Sequence, residues 1–262
     1  MEKRSGIMKG ILTVTEKIYL TPNYIRIRLR GTDLENFEVA RVGDNNKIVL
    51  PNDKGIIVFP EFGGSNSSND LKTVIRTYTM RDFNKDLMTV DFVCHGDEGP
   101  ASRWATSAVE GDKLGVLMKE KSKPLYQKAS HYYLTGDHTA LPVISVILET
   151  LPVDVKGKAV IEVFSKQDVL NLKKPENLEI EWLFNSTPGK DSKLAQKLRD
   201  FNVDKNRSIF VYAAAESSII KEIQYILRTE KELDREKWQS YSYWKLGHAE
   251  DESAQERRES TR

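Results

Sequence analysis

Hydrophobic and polar residues alternate through the first half of the chain with the period of two that is typical of half-buried β-strands. The clearest case is residues 24–30, Y-I-R-I-R-L-R, where isoleucine and leucine alternate with arginine. Short runs of the same kind occur at residues 11–15, 47–51, 56–60, 73–80, 87–94 and 112–118. Because no long helical pattern separates the runs up to residue 94, they predict a small closed antiparallel barrel rather than an open sheet.

The period changes after a first helix. Residues 100–110 begin with Pro100 and are followed by Gly111, which is the usual arrangement for the start and end of a helix. Further along, strands are predicted at residues 131–137, 159–164, 178–184, 208–214 and 238–244, and helices at residues 139–151, 192–201 and 216–228. This alternation predicts a doubly wound parallel α/β sheet with helices on both faces.

The same change of pattern divides the chain. We expect a barrel domain over residues 1–125 and an α/β domain over residues 126–250. Residues 251–262 have no apolar stripe and are predicted to form a solvated or disordered tail.

Charge and composition exclude several classes of function. Forty basic and 39 acidic residues nearly cancel to a net charge of +1, so no global field indicates nucleic acid or a membrane as the partner. The single cysteine, Cys94, excludes a disulfide framework, and the four histidines lack ligand spacing, so no protein-bound metal is expected. No signal peptide or membrane-spanning run is recognisable, which predicts a cytoplasmic protein.

Candidate chemistry concentrates between Arg76 and Ala105. On a strand, Arg76 and Tyr78 share one face, where a ring could lie against a flat heterocycle and a guanidinium could pair with a diphosphate. The turn and helix start that follow, with Gly99 and Ser102, would supply N–H groups that hold phosphates. This combination predicts a flavin nucleotide site. A surface strand followed by an ordinary capped helix accounts equally well for the spacing alone.

The second half carries weaker signals for a nucleotide. Asp137 and Thr139 lie where the first parallel strand ends, and Glu216 lies at the end of a later one; open parallel sheets bind ligands there. Ser165 and Lys166 follow the second strand, where a basic residue accommodates the 2′-phosphate of NADPH. A plain strand–turn–helix junction and a solvated loop lysine are the alternatives.

Together these segments resemble the siderophore-interacting protein family, the FAD-dependent ferric-siderophore reductases of the ferredoxin-reductase-like superfamily. The matching segments, in the family's order, are R-T-Y-T-M-R, V-D-F-V-C-H-G-D-E-G-P-A-S-R-W-A, V-E-G-D-K-L, Y-Y-L-T-G-D-H-T-A-L-P-V-I and Y-S-Y-W-K-L-G. The resemblance implies an N-terminal six-stranded antiparallel Greek-key β-barrel that binds FAD. It also implies a C-terminal doubly wound α/β domain that binds NAD(P)H as the electron donor.

The resemblance assigns roles to individual residues. Flavin contacts are expected from Arg76, Tyr78, Thr79, Asp91, Phe92, Val93, His95, Gly99, Pro100, Ala101, Ser102 and Trp104. Nicotinamide-nucleotide contacts are expected from Asp137, Thr139, Ala140, Ser165, Lys166 and Glu216. No catalytic residue is expected beyond the flavin, because the cofactor carries the redox chemistry.

Basic residues near the flavin receive the anionic ferric siderophore in this family. Lys47 and Lys245 occupy matching positions, and Lys119 stands beside a third, where Glu120 replaces an arginine. Ala215 replaces the glycine of the family's A-G-E run, where its methyl group would crowd the nicotinamide. These departures leave open which siderophore is bound and whether NADH or NADPH is preferred.

The sequence therefore predicts NAD(P)H-dependent reduction of ferric siderophores, which releases ferrous iron in the cytoplasm for iron acquisition. Ferredoxin is a further candidate donor. Two alternatives stay open. One is a flavin reductase of the same superfamily with a protein or quinone acceptor, and the other is a carrier that binds a ferric siderophore without reducing it.

Overall fold

The computed structural model describes residues 6–60, 73–94, 99–204 and 206–248. The chain divides into two compact units, Met1–Lys123 and Pro124–Arg262. His95, which was assigned to the flavin site, and the predicted tail at residues 251–262 lie outside the described residues. No helix in the described ranges has the length and hydropathy that crossing a membrane requires.

The first unit is a closed antiparallel barrel of six strands, which confirms the predicted fold of this half. Its strands are β1 (Ile7–Thr21), β2 (Tyr24–Arg30), β3 (Asn45–Val49), β4 (Ile75–Asn84), β5 (Leu87–Val93) and β6 (Lys113–Lys119). They follow one another around the barrel in the Greek-key order β1-β2-β5-β4-β3-β6, and β6 pairs with β1 to close the ring.

Alternation along the strands builds the barrel core. In β2, Ile25, Ile27 and Leu29 are fully buried, while Arg26 and Arg28 point to the opposite face. The arginines therefore remain on the outside of the barrel, where they pair with acidic residues of neighbouring strands.

The prediction of a strand at residues 56–60 is wrong. This segment follows a turn in which Asn52 Oδ1 accepts a hydrogen bond from the Ile56 N–H at 2.9 Å, and it joins no sheet. It lies across β6 instead, because a Cβ placed on Gly115 would come within 2.7 Å of Ile57 Cγ2. Apolar residues that cover the outside of a strand produce the same alternation as a strand, so the sequence pattern did not separate the two cases.

The first helix, α1 (Pro100–Ser107), begins where predicted but ends at Ser107 rather than at residue 110. The Ala108 N–H still bonds to the Trp104 carbonyl at 2.8 Å, but Ala108 itself has extended backbone and is buried in the barrel core. Gly111 has a φ of 96°, a conformation that favours glycine, and it forms the turn that leads into β6.

The second unit is a parallel five-stranded sheet with helices, which confirms the predicted class. Its strands are β7 (His131–Gly136), β8 (Lys156–Val163), β9 (Leu178–Phe184), β10 (Ile209–Glu216) and β11 (Trp238–Trp244), arranged as β11-β10-β7-β8-β9. Its helices are α2 (Leu141–Thr150), α3 (Leu194–Asp200) and α4 (Ser217–Tyr225).

Residues of β7 alternate between the helices on the two faces. Tyr133 packs in one apolar cluster with Leu198 of α3 and Ile220 of α4. Gly136 points the other way, and a Cβ there would be 3.1 Å from Ile144 Cδ1 of α2. The strand order reverses between β7 and β10, and the carboxyl ends of strands at such a reversal are where open parallel sheets bind ligands.

Candidate functional site

Three aromatic side chains from β4, β5 and α1 form a continuous row. The ring centroids of Tyr78 and Phe92 are 4.5 Å apart, and those of Phe92 and Trp104 are 5.8 Å apart. Phe92 is fully buried, whereas Tyr78 and Trp104 are only partly buried against the same core. Phe92 therefore holds the two outer rings in place, and the outer rings are the ones whose surface a flat ligand could contact.

Asn46 of β3, which the sequence did not single out, lies directly across the ladder from Tyr78. Its side chain is 1% exposed, yet neither Oδ1 nor Nδ2 has a hydrogen-bond partner among the described residues. Cross-strand partners point to one face, and this face also carries Ile48 and Met80 of the barrel core. The signal that could have revealed Asn46 is its position two residues before the buried Ile48, where a polar side chain is out of place.

The R-x-Y-T motif divides its side chains between two faces. Arg76 lies on the face of Tyr78, is half-buried, and donates from Nη1 to the Ile75 carbonyl at 2.8 Å. Thr79 is buried on the other face, in register with Asn45. The structure therefore brings Arg76 and Tyr78 together and turns Thr79 away from them.

The residues of β5 assigned to the flavin stand at the end of a ladder. The described register between β4 and β5 ends at Met80 and Val90. The next residues, Asp91, Phe92 and Val93, are in register with β2. Their backbone groups on the β4 side lie beyond that ladder, which is where a ligand could form hydrogen bonds with the main chain.

The Asp91 side chain is held in an ion pair. Arg26 forms a bidentate pair with it, donating from Nε to Oδ1 at 2.7 Å and from Nη2 to Oδ2 at 2.8 Å. Arg81 Nε lies 3.8 Å from Oδ2. Burial, reinforced by the Asp91 charge, raises the pKa of the neighbouring Tyr24 well above its usual value, so this hydroxyl stays protonated. The carboxylate of Asp91 thus stabilises the barrel, and its backbone is the part that remains for a ligand.

The first turn of α1 has the backbone arrangement that binds anions at helix N-termini. Gly99 is the N-cap residue, Pro100 opens the helix, and none of the described side chains caps it. The Arg103 N–H bonds to the Gly99 carbonyl at 2.9 Å, whereas the N–H groups of Ala101 and Ser102 precede this first intrahelical bond. Backbone N–H groups in this position bind phosphate oxygens.

These features of the barrel unit fit FAD. The amide of Asn46 has no hydrogen-bond partner among the described residues, and the start of α1 has no side-chain cap among them. Tyr78 lies between Asn46 and α1 in the sequence. It offers a partly buried ring on the same face as Asn46. A ligand with a flat heteroaromatic ring and a diphosphate satisfies all three.

In the α/β unit, the buried carboxylate of Asp137 accepts four hydrogen bonds. Oδ1 accepts from the N–H of Thr139 at 2.9 Å and from its hydroxyl. Oδ2 accepts from the Glu216 N–H at 2.9 Å and from Trp244 Nε1 at 2.7 Å. One carboxylate therefore ties together the carboxyl ends of β7, β10 and β11. Ala140, which follows Thr139 on this turn, is fully buried.

Glu216 forms a second cap beside the first. Its Oε2 accepts from the Ser218 and Ile219 N–H groups at the start of α4, and its Oε1 accepts from the Leu246 N–H at 3.1 Å. Burial opposes ionisation of Glu216, but the hydrogen bonds from Ser218, Leu246 and Ile219 outweigh it and lower its pKa. The ionised side chain therefore anchors the segment after β11 to the start of α4.

Trp244 covers the same carboxyl edge, and the sequence pointed to it only as part of a family motif. Its ring centroid lies 6.3 Å from that of His138, which in turn lies 4.4 Å from Phe164. The chain passes so close at Gly189 that a Cβ there would be 2.8 Å from the indole. The position of Trp244 is thus set by its hydrogen bond to Asp137 and by close packing against Gly189.

The end of β8 contains one expected and one unexpected feature. Ser165 caps the short turn that follows, because its Oγ accepts from the Gln167 N–H at 3.2 Å, and Lys166 is exposed beside it. Glu162, which no motif indicated, is buried nearby and accepts a 3.1 Å hydrogen bond from Asn185 Nδ2. Burial raises the pKa of Glu162.

Three exposed lysines share the outer face of the barrel. Lys9 of β1 and Lys47 of β3 both lie opposite Leu117 of β6, and Lys119 is two residues further along the same strand. Lys47 donates from Nζ to the hydroxyl of Thr77. Lys9 was not predicted, since its position becomes informative only when β1 and β6 pair.

The remaining predicted lysine, Lys245, belongs to the α/β unit. It follows β11 directly and is half-buried, and its carbonyl accepts from the His248 N–H at 3.1 Å. Its neighbour Leu246 is tied to Glu216. The position of Lys245 is therefore set by the same carboxyl-edge network that holds Trp244.

Comparison with known protein families matches both units. Residues 13–121 match the siderophore-interacting FAD-binding domain, and residues 129–247 match the siderophore-interacting protein family. The ferric vibriobactin reductase ViuB of Vibrio cholerae is 31% identical in an alignment 252 residues long that covers 94% of this chain and 93% of the relative.

Solved structures agree with these matches. A siderophore utilization protein from T. fusca superposes with a TM-score of 0.84 at 31% identity, and the alignment covers 93% of this chain and 95% of that one. A ferredoxin NADP+ reductase from Neisseria gonorrhoeae, solved with bound FAD and NADP, superposes with a TM-score of 0.60 at 10% identity and covers 90% of this chain and 99% of that one. At that identity the second likeness shows the fold alone.

Proposed function

The chain belongs to the siderophore-interacting protein family, and from this membership we propose that it is an FAD-dependent reductase that releases iron from ferric siderophores in the cytoplasm. The observation that carries the proposal is the buried Asn46 amide, which has no partner among the described residues and lies on the face of Tyr78, where a flavin would meet both. The 31% sequence identity to ferric vibriobactin reductase, over nearly the whole of both chains, supports the same activity.

The residues of the barrel would hold the cofactor in defined ways. Tyr78 would lie beside the flat ring, kept in place by the buried Phe92. Arg76 and the first turn of α1 would bind the diphosphate. When bound, FAD supplies the conversion between a two-electron donor and one-electron acceptors. The protein itself contributes binding and orientation, and no acid or base of the chain is required.

For the α/β unit we propose the binding of a reduced nicotinamide nucleotide at the carboxyl edge of the sheet. The Asp137 carboxylate would act by positioning, because its oxygens already accept bonds from Thr139, Glu216 and Trp244. The exposed Lys166 beside the Ser165 turn favours the 2′-phosphate of NADPH. Ferredoxin is the alternative donor.

The substrate would be recognised through charge. Ferric siderophores are anionic chelates, and the exposed lysines at positions 9, 47 and 119 form a compact basic surface that would attract one. Lys245 is the candidate from the α/β unit. One electron converts ferric to ferrous iron, which hard oxygen ligands bind more weakly, so the metal leaves the chelate.

An anaerobic titration of the purified full chain tests this function. The protein is loaded with FAD, titrated with NADH or NADPH, and then mixed with hydroxamate and catecholate ferric chelates in the presence of a ferrous-iron indicator. We expect the flavin absorbance to bleach with the donor and to return with a ferric chelate as ferrous iron forms. A protein that takes up no FAD contradicts the proposal.

The same titration separates the two alternatives. A carrier would bind the ferric chelate, but its flavin spectrum would not respond to a reduced donor. A reductase with a protein or quinone acceptor would bleach with NAD(P)H, and its absorbance would return with a quinone and not with a ferric chelate.

A further inference from the structure

We propose that the side-chain amide of Asn46 binds the polar edge of the flavin ring and is a main determinant of flavin affinity. This inference rests on the proposed function, since it requires that the barrel binds a flavin. The group concerned is the Asn46 amide, which is 1% exposed and whose oxygen and nitrogen both lack a hydrogen-bond partner in the part of the chain that the structure describes.

An amide in this state destabilises the protein on its own. Buried polar groups normally have hydrogen-bond partners, because removal from water without a new partner is unfavourable. A valine or isoleucine on the same strand face would avoid that penalty and would suit a strand better. The neighbouring Asn45 is exposed and bears no such penalty. Asn46 therefore has a penalty that a ligand could remove.

The position of Asn46 identifies the part of the ligand it would meet. It is the cross-strand partner of Tyr78, so the two side chains point to the same face. Tyr78 is the residue proposed to lie beside the flavin ring. The polar edge of that ring alternates carbonyl oxygens with N–H, and a carboxamide offers both an acceptor and donors to match it.

The strand face distinguishes Asn46 from a second group in the barrel that lacks a hydrogen-bond partner among the described residues. The Tyr24 hydroxyl is also buried without a partner among the described residues, but Tyr24 lies on the outer face of β2 with Arg26. Only Asn46 of these two shares the face of Tyr78. The geometry therefore connects the ring site with Asn46 and not with Tyr24.

The test compares Asn46→Val with Asn45→Val in the full-length chain, both without flavin and with FAD. Asn45 is the matched control, because it is the adjacent residue of the same type on the same strand and is exposed. In the flavin-free protein, Asn46→Val should raise the unfolding temperature by about 2–4 °C, since it removes an unsatisfied amide. It should also weaken FAD binding about tenfold or more, as measured by quenching of flavin fluorescence. Asn45→Val should change neither quantity in this way.

Riboflavin provides a readout that depends on the ring alone. Because it lacks the diphosphate and adenine, its affinity should fall by the same factor as that of FAD in Asn46→Val. If riboflavin affinity is unchanged while FAD affinity falls, Asn46 acts on another part of the cofactor and the inference is wrong.

The remaining outcomes also decide the question. Unchanged FAD affinity in Asn46→Val overturns the inference, whatever happens to stability, and leaves the proposed function intact. If Asn46→Val does not fold, Asn46→Thr replaces it, and FAD affinity equal to that of the parent chain then overturns the inference. Failure of the parent chain itself to bind FAD is a different result and contradicts the proposed function.

Discussion

Trp244 Nε1 donates a 2.7 Å hydrogen bond to Oδ2 of the buried Asp137 carboxylate. The bond joins the last residue of β11 to the residue that follows β7, and these strands are separated in the sheet by β10. The Glu216 N–H from the end of β10 reaches the same oxygen at 2.9 Å. Asp137 therefore joins the carboxyl ends of three strands at the proposed nicotinamide site.

Trp244→Phe should destabilise the α/β unit. Phenylalanine keeps an aromatic ring against His138 and Gly189 but removes one donor from a buried carboxylate, and a hydrogen bond to a charged group contributes about 1.5–3 kcal/mol. The measurement is the urea midpoint of the full chain, followed by circular dichroism. Tyr241→Phe is the control, because it removes an exposed hydroxyl from the same strand, and it should leave the midpoint nearly unchanged. Equal midpoints for Trp244→Phe and the parent chain would show that the bond contributes nothing.

The ion pair between Arg26 and Asp91 should be far more sensitive than its neighbour on the same strand. Asp91 is almost fully buried, so Arg26→Met removes its short ion pair and leaves Arg81 at 3.8 Å; breaking a buried pair in this way costs about 3–5 kcal/mol. Arg28→Met removes an exposed pair with Glu16 two residues along and should cost about 1 kcal/mol or less. Chemical unfolding of the barrel gives both values. Similar losses in the two variants would contradict the assigned role of Asp91.

Much of this architecture was predictable because strand alternation depends on side chains that are close in sequence. Ile25, Ile27 and Leu29 predict β2 without reference to any other element, and the same holds for the apolar strands of the parallel sheet. Two features were not predictable in this way: that the Asn46 amide finds no partner among the described residues, and that the lysines cluster. Lys9 and Lys47 are distant in sequence, and they become neighbours only because β6 pairs with both β1 and β3.

The predicted site shows the same limit. The R-x-Y-T and G-P-A-S motifs predict a ring-and-phosphate site from local residues. The function of Asp137 could not be derived locally, since its hydrogen-bond donors include Glu216 and Trp244 from the far end of the chain. The error at residues 56–60 arose because packing across β6 and pairing within a sheet give the same pattern.

Glu162 should make the α/β unit less stable as the pH rises. Burial raises its pKa in the folded protein, which opposes ionisation; Ser192 and Asn185 partly offset this shift, and the Asp137 charge adds to it. Because the pKa of Glu162 is higher in the folded than in the unfolded protein, its contribution to the free energy of unfolding is complete below the unfolded pKa, near 4.5. That contribution is lost as the pH rises through the folded pKa.

Glu162→Gln tests this dependence. Glutamine stays neutral and still accepts from Asn185, so the variant should match the parent chain at low pH and exceed its stability at higher pH. Urea unfolding from about pH 4 to about pH 8 would reveal a flatter profile for the variant. Glu179→Gln, at an exposed position of β9, should leave the profile of the parent chain unchanged. A parallel displacement of the whole curve in Glu162→Gln would mean that ionisation of Glu162 is not the cause.

Lys47→Ala should weaken the capture of anionic ferric chelates without changing the flavin. An exposed charge contributes up to about 1 kcal/mol, so the KM should rise about two- to fivefold for the single variant, and by more when Lys9 and Lys119 are also replaced. The effect should shrink as ionic strength rises, because salt screens exposed charges over a few ångströms to about 10 Å. Lys85→Ala is the matched control, since Lys85 is exposed in the turn between β4 and β5, eight residues along the chain from the Thr77 that contacts Lys47. The parent chain and both variants should bleach equally with NAD(P)H, and only Lys47→Ala should need more ferric chelate to recover its absorbance. A KM that is raised equally by Lys85→Ala would assign the effect to overall charge and not to this surface.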